Sequence, residues 1–352
     1  MARRAARRSL AAVAVALVLV AWTGARVRAS TAGVDGAERT LDTVDTVDTI
    51  DVAKNTADTA SDEERCGRCH ERARASWTAS RHALSASNVL FATDLHKTPR
   101  AWCIGCHAPG VSSSRVLFGV VDKRHGVRCT TCHIDTAGLV LSAGPPTVAG
   151  QSAHPMRQEP ALGDERACVR CHEFARPGED VLLQATVTEW RTSRAAAQGI
   201  TCQQCHMKGG LHSFPGAHDT RLLTDSFVVD VSRPLPGVVR IRVRAPGVAH
   251  RAPTGDLSRA LRVSLCRSSD DACASPLHTV ELSRRFVVER SGVLSLVADT
   301  TVPPDGERVF DIEDQGEAHG YVVDYWHAPT LQGELADALI MRRLTSGTVP
   351  RP

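Results

Sequence analysis

The sequence predicts an α+β fold: a mostly helical and loop region followed by a C-terminal antiparallel β-sandwich-like domain. Three observations predict it. The pattern C-x-x-C-H occurs five times between residues 66 and 206. Beyond about residue 221 short runs alternate apolar and polar residues between Pro, Gly and Asp turns, the period of half-buried strands. The first 62 residues show neither pattern. The expected organisation is therefore 1–29, 30–62, 63–220 and 221–352.

Residues 1–29 read as a secretory signal peptide. Arg3, Arg4, Arg7 and Arg8 precede an apolar run from about Leu10 to Ala21, and small residues end at Ala29. The run is short for a spanning helix, so membrane attachment follows only if the segment is retained. Six arginines and no acids lie in it, so its removal takes the net charge from +3 to −3. The basic balance of the full chain is thus no argument for nucleic-acid binding, and no aromatic-basic patch supplies one. Residues 30–62 contain "LDTVDTVDTIDVAKNTADTA", acidic and of low complexity. Its three-residue period suits neither helix nor strand, and it reads as a disordered linker.

The five motifs are Cys66, Cys69, His70; Cys103, Cys106, His107; Cys129, Cys132, His133; Cys168, Cys171, His172; and Cys202, Cys205, His206. Two thiols three residues apart can each form a thioether to one vinyl group of a porphyrin. The following imidazole then lies under the iron. Zinc knuckles use C-x-x-C without requiring a histidine after each unit, and a disulfide scaffold would not place His five times at one offset. The cofactors expected are five covalent haem c groups with their iron. Haem would also supply the core of a region that has few aromatics (4% of the chain). Covalent haem attachment takes place outside the cytoplasm, so a periplasmic or otherwise exported protein is expected. Helical turns and loops, not sheet, are expected between the motifs.

A repeat underlies this region. "WTASRHA" (77–83) returns as "WRTSRAA" (190–196), and "GVRCTTCH" returns as "GITCQQCH". These stretches, with "CHAP", "EW" and "CHM" followed by "HSFPGAHD", resemble multihaem c-type cytochromes related to tetrahaem electron carriers and to the haem-packing domains of hydroxylamine oxidoreductase. The resemblance spans about residues 66 to 220. It implies that most haems take a second histidine ligand from elsewhere in the chain.

Ten of the fifteen histidines lie outside the motifs. The resemblance places His82 at the W-x-x-S-x-H ligand position, His154 at a distal-ligand position before the fourth motif, and His250 in a loop reaching toward the haems. In the second half of the repeat Ala195 replaces the residue equivalent to His82, so that haem finds its ligand elsewhere or keeps an open site. His212 and His218 follow the fifth motif in a Gly-Pro segment; one of them is expected to cap a haem other than the fifth. His125 is a weaker candidate, and His96, His278, His319 and His327 read as ordinary histidines.

In the C-terminal part "SFVVDVS", "VVRIRVR", "LRVSLC", "HTVELSRRFVVE", "RVFDIE" and "YVVDYW" read as strands. Cys266 and Cys273 have the wrong spacing for haem and read as a local disulfide. No catalytic constellation stands out. The function expected is electron transfer through mostly bis-histidine haems, with other redox proteins or quinol-oxidising membrane complexes as partners. The alternative is a small multihaem oxidoreductase with one open haem acting on a nitrogen or sulfur oxyanion, which Ala195 allows; no C-x-x-C-K motif accompanies it.

Overall fold

The structure is a computed structural model that describes residues 59–97, 100–111, 126–145, 154–256, 258–268 and 273–351. The segment 1–29, the linker up to residue 58 and His125 lie outside the described residues. Helices and antiparallel sheets both occur, and the sheet-rich part lies C-terminal. Among the described residues no helix is long and apolar enough to cross a membrane.

Between residues 59 and 226 the helices are short: Thr59–Gly67, Glu71–Thr78, Val89–Lys97, Ile104–His107, Cys129–His133, Arg166–His172, Thr186–Arg191, Arg194–Ala197, Cys202–His206 and Thr220–Ser226. Side-chain packing among them is thin. One small cluster joins Ala86, Ile104 and Ala108 with Phe91 and Leu95.

The expectation of no sheet here is corrected by two short pairings. Strands β1 (Val140–Ser142) and β2 (Met156–Gln158) run parallel, and β3 (Glu173–Ala175) and β4 (Leu182–Ala185) run antiparallel. Runs of three or four residues are too short to show a period. They satisfy backbone polar groups that the short helices leave unpaired, β3 and β4 as an antiparallel pair directly after the fourth motif.

Beyond residue 227 the strands are β5 (Val228–Leu235), β6 (Val238–Arg244), β7 (Ala260–Cys266), β8 (His278–Val288), β9 (Leu294–Asp299), β10 (Glu307–Glu313), β11 (Gly320–Trp326) and β12 (Met341–Thr348). They make a three-stranded sheet, β10-β6-β5, and a five-stranded sheet, β12-β11-β7-β8-β9. One core draws on both sheets. Strand β6 shows why "VVRIRVR" folds this way. Val239, Ile241 and Val243 are fully buried, while Arg240, Arg242 and Arg244 face out and pair with Asp311, Glu307 and Asp230. Each buried aliphatic side chain contributes about 1.5–3 kcal/mol. Cys266 and Cys273 are bonded, with Cα atoms 5.5 Å apart, a usual separation for a disulfide.

The sheets pack onto the motif region. Leu90 enters a cluster with Ala260, Trp326, Ala328, Leu331 and Ile340. The Arg284 guanidinium donates to the carbonyls of Leu182 and Leu183 at 2.6 and 2.8 Å. The backbone N–H of Arg194 donates to Asp305 at 2.7 Å.

Candidate metal centres

The third and fifth motifs are the helices Cys129–His133 and Cys202–His206, the fourth ends Arg166–His172, the second runs from the 3-10 turn Ala101–Cys103 into Ile104–His107, and the first straddles the end of Thr59–Gly67. Residues three apart share a helix face, so both cysteines point the same way and the histidine follows at the turn's end. In the first motif the N–H groups of Cys69 and His70 donate to Cys66 O at 3.2 and 2.9 Å. The ten motif cysteines are not disulfide-bonded. The repeat is visible in the hydrogen bonds. Trp77 Nε1 donates to Val127 O at 2.8 Å, and Trp190 Nε1 donates to Ile200 O at 3.1 Å. Val127 and Ile200 hold the same place in "GVRCTTCH" and "GITCQQCH". The helices that follow start alike, Arg128 N donating to Thr131 Oγ1 at 3.1 Å and Thr201 N to Gln204 Oε1 at 2.7 Å.

Four of the five motif histidines face a histidine from elsewhere in the chain. The ring centroids are 6.4 Å apart for His70 and His154, 6.3 Å for His172 and His82, 6.1 Å for His133 and His212, and 6.4 Å for His206 and His250. A metal–imidazole bond of about 2 Å, with the bonding nitrogen about 1.2 Å from the ring centre, puts two imidazoles across one metal ion roughly 6.4 Å apart. The four spacings fit an iron between each pair. They are too long for a direct hydrogen bond between ring nitrogens. Among the described residues no group of three or more His, Cys, Asp or Glu gathers as a metal cage would require. Pairs of imidazoles are therefore the ligand sets on offer.

Backbone carbonyls orient the rings. Nδ1 lies 3.0 Å from Leu141 O in His133, 2.7 Å from Pro215 O in His206, 3.1 Å from Gly210 O in His212 and 2.9 Å from Arg251 O in His250. An N–H donated there leaves Nε2 as the free lone pair, the tautomer a metal needs. Burial pushes His82, His172 and His250 down to about 4, so these imidazoles are neutral at ordinary pH, as ligands must be.

His107 differs. Its ring lies flat on Phe91, with centroids 3.9 Å apart, and its Nδ1 is 3.3 Å from Ser85 O. Among the described residues no histidine ring faces it. His218 is not opposite a motif histidine either: it stacks on His327 at 4.3 Å. Burial, followed by the charge of Arg259, pushes His218 down to about 3 and His327 to about 4.

Several positioning residues carry no sequence signal of their own. Phe214 packs on His82 at 4.2 Å and meets His212 edge-on. Val127 N donates to His82 O at 2.9 Å, and a Cβ on Gly126 would lie 2.6 Å from that oxygen and 2.3 Å from Ala83 O. Ser76 Oγ receives the N–H of His212 at 2.9 Å. The loop that carries His250 is held by Thr254, which donates to the buried Glu189 at 2.7 Å, and by Arg251, which pairs with Asp299 at 2.9 Å. The duplicated Trp77 and Trp190 were the one available hint, because each leads to a motif helix.

Contacts between motifs give their spatial order. Cys106 lies beside Cys171, and Cys168 beside Cys202. Cys66 lies near Cys129, and Cys132 lies near Cys168 and Cys171. The first, third, fourth and fifth motifs thus form a continuous series, with the second joined to the fourth.

Repeated C-x-x-C-H turns and imidazole pairs at iron spacing are the arrangement that a multihaem c-type cytochrome needs. Residues 65–134, which hold the first three motifs, match the family described as cytochrome c554 and c-prime. This match supports a multihaem cytochrome family, covalently bound haem c with its iron, and electron transfer with redox-protein partners. No curated protein and no solved structure matches the chain.

Proposed function

We propose that the chain is an exported pentahaem c-type cytochrome that passes electrons between redox partners through four bis-histidine centres and one centre of different ligation. The observation that carries this reading is the set of four imidazole pairs at 6.1 to 6.4 Å. Haem c supplies a one-electron iron couple at each centre. His154, His82, His212 and His250 would hold the iron of each haem together with His70, His172, His133 and His206, and two imidazoles on one iron would keep substrates off it. The Nδ1–carbonyl bonds hold the rings still, which limits reorganisation on a change of charge. The segment 63–220 forms the cytochrome part. The segment 221–352 is a β-domain that contributes His250 and so belongs to the electron-transfer unit. Residues 1–29 direct export, and a quinol-oxidising membrane complex is a suitable donor for such a carrier. Five haems by pyridine haemochrome and intact mass, with uptake of five electrons per chain in a reductive titration, test the proposal; four or fewer haems in matured protein contradict it.

His107 favours a second reading for its own centre. No histidine among the described residues faces it, which suits the alternative of a small oxidoreductase acting on a nitrogen or sulfur oxyanion. Carbon monoxide binding to about one haem per reduced chain, with turnover of nitrite or sulfite, supports that reading. Electron transfer without turnover leaves the carrier.

A further inference from the structure

Between the cytochrome part and the β-domain lies a cluster of cationic and hydrogen-bonding side chains that no metal pair uses. His218 and His327 stack at 4.3 Å, and Tyr325 sits 5.1 Å from His327. Arg259 Nη1 points to Tyr325 Oη at 3.5 Å. The charge of Arg259 is felt at Arg81, at His218 and at His327, and that of Arg81 at both histidines. Arg342 also reaches His327. Arg259 Nε and His327 Nδ1 are buried without a hydrogen-bond partner.

No carboxylate forms an ion pair with Arg81 or Arg259 among the described residues. Asp256 is the acid whose charge reaches Arg259, but it is exposed and accepts from Ser258 at 3.2 Å. The loop is shaped around the guanidinium: Gly255 has φ +95, and a Cβ there would lie 3.4 Å from Arg259 Nε. The buried Arg259 guanidinium, with an unpartnered Nε and a second cation, the exposed Arg81, close to it, is costly unless an anion joins them.

The cluster sits at one particular centre. Arg81 immediately precedes His82, and the charge of Arg259 reaches His172, the ring opposite His82. The two arginines thus belong to the surroundings of the His82–His172 pair, whose ring centroids are 6.3 Å apart. The thioether rim of that centre is marked by Cys168 and Cys171, which neighbour Cys202, Cys106 and Arg170. A porphyrin carries its two propionates on the rim opposite its thioethers.

We propose that Arg81, Arg259, His218 and His327 form a carboxylate-binding pocket for a propionate of the haem held between His82 and His172. The assignment rests on the ligand pairing proposed above. The arginines bind the carboxylate through charge-assisted hydrogen bonds, and His327 Nδ1 gains the partner it lacks. The β-domain thereby grips the array at a second point besides His250, and it sets the charge around one centre. A free oxyanion offers the same chemistry, so the test must separate the two sources.

The test is redox difference infrared spectroscopy on full-length holoprotein whose haem propionates carry carbon-13 carboxyls, alongside potentiometry. With Arg259→Leu we expect a labelled carboxylate band to shift and the midpoint potential of one low-spin haem to fall, because a neighbouring positive charge is lost. Arg259→Lys restores most of that potential, and the haem count is unchanged. If Arg259→Leu does not mature, Arg81→Leu gives the same comparison. Labelled bands identical in wild type and variant overturn the proposal. It is also overturned if nitrite saturably shifts that haem's potential in the wild type but not in Arg259→Leu, since the pocket then holds a free oxyanion. Wild-type protein with fewer than four low-spin haems overturns instead the ligand pairing on which the assignment rests.

Discussion

His82 stands 6.3 Å from His172, ring to ring, with Phe214 on its face and its carbonyl receiving Val127 N–H. Replacing it with alanine removes a strong-field nitrogen and nothing that holds the haem covalently. His82→Ala should therefore convert one low-spin haem to high spin and raise carbon monoxide binding by one haem per reduced chain. The covalent haem count should not change; an unaltered low-spin spectrum would show that His82 is no ligand. The motif histidines were legible because their cysteines announce them at fixed offsets. That His82, His154 and His250 would stand opposite motif histidines was legible only by resemblance, since a ring brought from far along the chain leaves no local pattern. Between His212 and His218 the sequence held no preference. The geometry favours His212, whose N–H is tied to Ser76, and gives His218 a partner in His327, a histidine with no motif around it.

Elements do their work here by aiming side chains. The turn at Gly126 presses against the backbone of residues 82 and 83, where a Cβ would collide with two carbonyl oxygens. Gly126→Ala should push this turn away, at a cost of about 1–3 kcal/mol. It should also add a high-spin fraction at one haem while all five remain attached; thermal denaturation and electronic spectra read both effects. In the β-domain the Asp314 carboxylate lies buried against Arg233 at 2.6 Å. Burial pushes its pKa up, but the bonds from Arg233, Ala318 N–H and Gly316 N–H outweigh that and leave it lowered. A lowered carboxyl contributes stability above its unfolded value of about 3.9 and loses it as pH falls through the folded value. The β-domain should then destabilise below about pH 4. Asp314→Asn should cost about 3–5 kcal/mol at neutral pH, by stranding Arg233, and flatten that acid dependence. Denaturant unfolding at several pH values checks both. Strand β6 was legible in its strict alternation. Strand β12, "MRRLTSGT", was not, because its stability comes from lying beside β11, and β9 was missed because Val297 and Leu296 stay exposed.

At the scale of the whole molecule the β-domain and the motif region share residues at the proposed centres. His250, in the loop between β6 and β7, reaches the fifth motif, its ring centroid 6.4 Å from that of His206, and Leu90 reaches back into the sheet cluster. The sequence showed two regions by composition, yet a ligand that crosses between them is a property of the folded chain. The proximities Cys66–Cys129, Cys132–Cys168, Cys168–Cys202 and Cys106–Cys171 make one branched series of motifs, which suits the proposed passage of electrons. The most direct test of this account is a quantitative low-temperature electron paramagnetic resonance spectrum of the oxidised wild-type holoprotein. Four low-spin bis-histidine haems and one haem of different ligation per chain are predicted. Two or more high-spin haems per chain would contradict the pairing of His154, His82, His212 and His250 with the motif histidines.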